Sequence, residues 1–243
     1  MSGTMVAQAL PIAISPILTR LFSPSDFGVY GLYLAITGIL STLASARYEL
    51  SIMLPEKESD AFNLVALSLL ITMVVTAILT FIVIIFNDSI VVFLGNEQIS
   101  AWLYFVPATV FMSGMFQSLK YWAARKKQFK NIAGSQIARS GVTATTNLGF
   151  GMAGLTSGGL ILGNIFGHFA QSTVLLQKTY KEDRNLVQSV NRIKVTSLAK
   201  KYIKFPKFDL PAAIIYSTYT NMAIIFFNKV FEESVSGYYF LTN

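Results

Sequence analysis

The sequence predicts an all-α, polytopic membrane protein, on three observations. Hydrophobic residues make up 53% of the 243 residues and charged residues only 13%, with a mean hydropathy of +0.54. Soluble domains carry about 25% charged residues. Apolar runs of roughly 20 residues recur along the chain, the length a helix needs to cross a bilayer core of about 30 Å. The basic residues are also sorted. Arg47–Lys57, Lys120–Lys130 and Lys178–Lys207 hold 16 of the 19 Lys and Arg. The intervening Ser23–Phe27, Asn87–Ile99, Leu155–Gly158 and Glu232–Gly237 hold none. Cytoplasmic loops of membrane proteins retain Lys and Arg in this way. The pattern puts the N-terminus and the three basic loops in the cytoplasm.

Taken in order, the expected spans are 3–22, 27–46, 61–86, 99–119, 132–154, 158–177 and 208–230. The first lacks a basic leader and runs into Arg20 rather than a small-residue cleavage site, so it reads as a spanning helix, not a signal peptide. In the third, Ser68, Thr72, Thr76 and Thr80 are small and uncharged, which suits hydrogen bonding between helices. Between the sixth and seventh spans lies the basic segment 178–207. Two readings fit it: an amphipathic helix at the membrane surface, with Leu186, Val190, Ile193 and Leu198 as its apolar face, or a solvated linker. Either way it divides a six-span lobe, 1–177, from a second unit, 208–243.

An internal repeat supports that division. R-L-F-S-P-S-D-F-G-V-Y, from Arg20 to Tyr30, aligns without a gap on K-V-F-E-E-S-V-S-G-Y-Y, from Lys229 to Tyr239. Both copies follow a span and open the next, as in transporters built from duplicated halves. On this reading the chain holds an N-terminal six-helix lobe and the first helix of a second lobe, and stops as that second half begins. Truncation is the expectation.

Polar residues form stripes on several spans. Thr4, Gln8, Pro11, Ser15 and Thr19 share one face of the first, and Thr109, Ser113 and Gln117 one face of the fourth. The fifth carries Gln136, Arg139, Ser140, Thr143 and Asn147, and the sixth Asn164, His168, Gln171 and Ser172. Two readings apply again: interhelical hydrogen bonding, or a hydrated cavity. The amides and the charge favour a cavity for the first, fifth and sixth spans.

Arg139 is the sharpest single residue. Eight residues into a span beginning near Asn131, it lies roughly 12 Å along the helix. Arginine at membrane depth costs about 2.5–3.5 kcal/mol on insertion scales. It therefore needs water, an acidic partner or an anionic ligand, unless it snorkels to the interface. Arg20 and Arg47 end the first and second spans, where each suits an interfacial anchor. Glu49 lies two residues after Arg47, as a partner or a proton site. His168 is a packing residue or a titrating switch.

Several functions are excluded. The net charge of +7 sits in loops between apolar spans, so no nucleic-acid partner is expected. Without cysteine, and with one histidine, the chain has no thiolate metal site, multi-histidine site or cysteine nucleophile. No cofactor is expected. All twelve acids lie in loops or at span ends, so a cavity holding Arg139 suits an anion, and a cation carrier would need the reverse. Arginine matches phosphate oxygens in a bidentate fork. An enzyme that polymerises or ligates glycans would need a large outward loop or an acid/base cluster, and neither is present.

S-P-I-L-T-R-L-F-S-P-S-D-F-G-V-Y (Ser15–Tyr30) and R-Y-E-L-S-I-M-L-P (Arg47–Pro55) resemble motifs of the bacterial polysaccharide flippases. These are the O-antigen and capsule repeat-unit translocases of the multidrug/oligosaccharidyl-lipid/polysaccharide exporter superfamily. The resemblance runs in order along the whole chain. It implies two lobes of spans rocking about a central cavity in the inner membrane. It also implies flipping of undecaprenyl-pyrophosphate-linked oligosaccharide, basic cavity residues on the pyrophosphate, and polysaccharide polymerase and chain-length regulator as partners. Arg20, Arg47 and Glu49 fall on the motif positions; Arg139, Gln136, Asn147 and His168 come from the stripes. The chain departs from the pattern in its short lead before the first span and in lacking most of a second lobe. The alternatives are a drug/cation antiporter of the same superfamily and a non-transporting membrane protein of polysaccharide assembly.

Overall fold

The computed structural model describes residues 2–231 and 233–242; the side chains of residues 2–4 and 6 lie outside that description, Thr4 of the first stripe among them, as does all of Glu232. Among the described residues the regular structure is entirely helical. The chain forms α1 (Ser2–Leu21), α2 (Pro24–Leu43), α3 (Tyr48–Ser51), α4 (Glu58–Leu94), α5 (Ser100–Leu103) and α6 (Val106–Arg125). Then follow α7 (Phe129–Met152), α8 (Ser157–Glu182), α9 (Arg184–Val187), α10 (Arg192–Lys201), α11 (Leu210–Val230) and α12 (Glu233–Thr242). A π-helical turn, Phe205–Asp209, leads into α11.

α2, α4, α8 and 205–230 are long and apolar enough to cross a membrane, and 97–125 is a fifth span if its two arms, bent by 53°, count as one. The bend falls at Tyr104–Phe105, just before Pro107 opens α6, so the fourth span is a broken helix rather than the single one expected. α7, also expected to span, has the length but not the apolar composition, because it carries a polar stripe that includes Arg139; α1 runs the length of the expected first span. α4 shows the membrane setting most directly. Leu70, Met73, Val74, Ile78, Phe81, Ile84, Ile85, Val92 and Phe93 are all exposed along it, a surface that water does not tolerate and lipid does.

Four loop assignments need correction. Asn87–Ile99 is helix as far as Leu94: the backbone breaks at Phe86, Asn87 binds the Ser100 carbonyl and hydroxyl, and the helix resumes until left-handed Gly95 ends it. The polar triplet Asn87–Ser89 thus marks a side-chain latch, not a chain reversal. Ser23–Phe27 is the start of α2, capped reciprocally by Ser23 and Asp26. Leu155–Gly158 shrinks because α8 begins at Ser157, and the stretch after Glu232 is α12. In the basic segment, α10 packs its Val195, Leu198, Ala199 and Tyr202 against the core cluster that includes α4. Ile193, expected on that face, is 80% exposed, and Val190 is also exposed. Tyr48 Oη donates to the Ala199 carbonyl and Lys194 pairs with Asp60, so the helix is docked on the bundle.

Two basic residues of the loops brace this end of the bundle. The Arg125 guanidinium donates to the carbonyls of Ile52, Met53, Pro55 and Glu56, holding the turn after α3. Lys126 pairs with Glu58 and Asp183, and Asp183 also accepts from Trp122 Nε1 at 2.8 Å.

The repeat has a spatial counterpart at the opposite end. α2 crosses α12 and also packs on α11. The corresponding glycines Gly28 and Gly237 meet there: a methyl on either would come within 3.3 Å of the other's backbone nitrogen. Ser25 donates to Glu233, and Asn228 donates to the Gly28 carbonyl.

Candidate functional site

α7 and α8 form the tightest pairing in the bundle. Gly159, Gly163 and Gly167 recur every fourth residue on α8, a small-residue seam that lets membrane helices approach closely. Larger side chains fill the notches. The Asn147 amide occupies the space a methyl on Gly163 would take, and the Thr143 hydroxyl does so at Gly167. This seam fixes the height of the α7 polar face against α8. The Arg139 carbonyl lies beside Gly167, one turn from Asn164.

On the other side of α7 runs α1, whose Pro11 has no N–H to give the Ala7 carbonyl. Ser140 Oγ supplies that bond from α7 at 2.7 Å. Ser140 is thus an interhelical tie. Ser172, bonded to the Met112 carbonyl, and Thr109, bonded to Tyr33 Oη, act likewise. On α4 the expected bonds between helices are not made among the described residues: Thr72 and Thr80 donate to carbonyls of their own helix, and the Ser68 and Thr76 hydroxyls are buried without a partner, so this face serves packing.

Between α1, α2, α7, α8 and α12 lies a cavity of about 670 Å³. Its wall includes Gln8, Pro11 and Ser15 of α1, all five α7 stripe residues, and Asn164 and Gln171 of α8. Thr19 is outside it, exposed and bonded to the Pro16 carbonyl. Sequence reasoning missed the aromatic part of the wall, Phe27, Tyr30, Phe116 and Phe240. The i, i+3 spacing of Phe27 and Tyr30, and the repeat of Tyr30 in Tyr239, were the available signals.

The polar atoms of this wall are short of partners. Gln136 Oε1, Asn164 Oδ1 and Gln171 Oε1 are buried with no hydrogen-bond partner among the described residues. Each such atom costs about 1–3 kcal/mol unless water or a ligand satisfies it. Arg139 has no acidic partner among the described residues, whose four ion pairs all lie elsewhere. His168 is not on the wall; its Nδ1 is buried with no partner among the described residues, within electrostatic reach of Arg139.

Among the other candidates, Arg20 is exposed at the far end of α1, away from the cavity. Arg47 has a left-handed backbone (φ 65°) and pairs with Glu49 at 3.6 Å. Glu49 is buried and also accepts from Ser45. That pair shapes the turn into α3 and does not border the cavity. The geometry therefore gathers Arg139, Gln136 and Asn147 at one site, with His168 behind it, and separates Arg20, Arg47 and Glu49 from it.

The model of the polysaccharide biosynthesis protein family matches residues 17–243. The chain belongs to that family. No curated protein and no solved structure matches it. As a member of the polysaccharide biosynthesis protein family it is a membrane protein with a role in making polysaccharide, and the matched region takes in the cavity wall apart from the α1 residues before residue 17.

Proposed function

We propose that this family member flips undecaprenyl-pyrophosphate-linked oligosaccharide repeat units from the cytoplasmic to the periplasmic leaflet of the bacterial inner membrane. The observation that carries the reading is Arg139: a guanidinium without a carboxylate partner among the described residues, on an amide-rich wall inside a membrane bundle. An unpaired cation half-buried inside a membrane bundle is costly, and a phosphate oxygen pair relieves it through two parallel charge-assisted bonds. Gln136 and Gln171 flank it with amides that can turn either end toward the ligand. No carboxylate stands among the described wall residues, which disfavours a drug/cation antiporter. Nor does the wall pair a nucleophile with a base, so the chemistry is binding and release rather than bond making.

The basic end, where Arg47, Arg125 and Lys126 cluster with α9 and α10, faces the cytoplasm on this reading. The flipped unit passes to a polysaccharide polymerase and its chain-length regulator. The test is Arg139→Ala in the native gene at equal protein level. Surface polysaccharide is lost, and Arg139→Lys, which keeps the charge without the fork, retains part of it. Normal polysaccharide in the Ala variant refutes the proposal.

A further inference from the structure

We infer that the part of the cavity bounded by Phe27, Tyr30, Asn164 and Phe240 is a subsite for a single pyranose ring, the sugar attached directly to the pyrophosphate. The inference rests on the function proposed above and assigns that site a second, separate contact. The Phe240 ring stands edge-on to Tyr30, centroids 5.6 Å apart at 78°, and stacks against Phe27 at 6.3 Å and 23°. All three rings border the cavity. Among them sits Asn164, 4% exposed, whose Oδ1 has no partner among the described residues and whose Nδ2 donates to Tyr30 Oη at 3.4 Å. Tyr30 Oη accepts that bond and keeps its own proton to donate.

This corner thus offers aromatic surface, one unmet acceptor and one available donor. A pyranose has the matching parts: an apolar C–H face for the rings and a rim of hydroxyls that both donate and accept. The other components of a lipid-linked sugar fit less well. A polyprenyl chain has no donor for Asn164 Oδ1, and a phosphate presents only acceptors to it. Position agrees as well. Asn164 lies three residues along α8 from Gly167, beside which the Arg139 backbone runs, a rise of roughly 4.5 Å. An anion at Arg139 and a ring at Asn164 are therefore neighbours, as a pyrophosphate and its first sugar are.

The test is equilibrium binding to the purified full chain in lipid nanodiscs. The probes are undecaprenyl pyrophosphate alone and the same lipid carrying one glucose, galactose or N-acetylglucosamine. At least one glycosylated probe binds about tenfold more tightly than the bare lipid. Asn164→Leu removes that preference and leaves affinity for the bare lipid within about twofold. Phe240→Leu, at a partly exposed position, lowers the preference without disturbing the bundle. No sugar preference in the wild type, or full preference in both variants, overturns the subsite. Arg139→Ala weakens all probes together. If it weakens none, the pyrophosphate reading fails, whatever the sugar preference shows.

Discussion

Replacing Gly237 by alanine tests the crossing of α2 and α12. The added methyl would lie 2.6 Å from the Pro24 carbonyl carbon, and closer still to its oxygen. Ordinary contact needs about 3.5 Å, and the obstacle is backbone, so the helices must part by about 1 Å. Overpacking of this kind costs about 1–3 kcal/mol. Parting also stretches the 2.7 Å Ser25–Glu233 bond, worth about 1 kcal/mol. Against this, alanine gains up to about 1 kcal/mol over glycine in a helix. The net loss is about 1–3 kcal/mol, or roughly 3–10 °C in Tm for a chain of this size. Gly149→Ala is the control, because nothing lies within 4 Å of its added methyl. Only the propensity gain operates there, so its Tm is unchanged or raised by up to about 3 °C. Thermal unfolding in detergent, followed by helical circular dichroism, reads both. A Gly237→Ala Tm at or above that of wild type would refute the close crossing.

Three further outcomes are expected. Arg125→Lys loses the fork that gathers four carbonyls and costs about 1–3 kcal/mol, seen as faster proteolysis of the Met53–Lys57 turn; an unchanged cleavage rate counts against that role. Trp122→Phe removes one bond to buried Asp183, which keeps Lys126 at 3.8 Å, and lowers stability by about 1–2 kcal/mol; no change in Tm would deny the bond its weight. Because the chain has no cysteine, single cysteines report accessibility cleanly. Gln8→Cys and Gln136→Cys react with a water-soluble maleimide while Phe81→Cys on α4 does not; protection at both polar positions would make the cavity dry.

The helices were legible where composition alone decides, and less so where a side chain completes the backbone. Periodicity and basic loops locate every long helix, and the α7 stripe names five residues that share the cavity wall. Asn87 misled because a polar residue that latches onto Ser100 looks, in one dimension, like a loop. Ser140 read as a cavity residue, yet its hydroxyl answers a vacancy created by Pro11, on another helix and 129 positions away in sequence. Arg125 was counted with the charges that sort loops, since nothing local distinguishes it from Lys127. Three rings of the aromatic wall, Phe27, Tyr30 and Phe240, come from α2 and α12, which only the folded repeat brings together.

The length of α4 has a consequence for the lipid around it. Its exposed apolar side chains run from Leu70 to Phe93, a band of roughly 35 Å at helical rise. A hydrocarbon core of about 30 Å is shorter than that contour, and the break at Phe86 together with a lean of the helix takes up the difference. The lean is hard to adjust freely, because α4 is tied at its start by Asp60 and Asn63 to the α10 region and at its far end by Asn87 to Ser100. Changing bilayer thickness therefore acts on the whole bundle through this one strut, and the chain is matched to membranes of a narrow range of thickness.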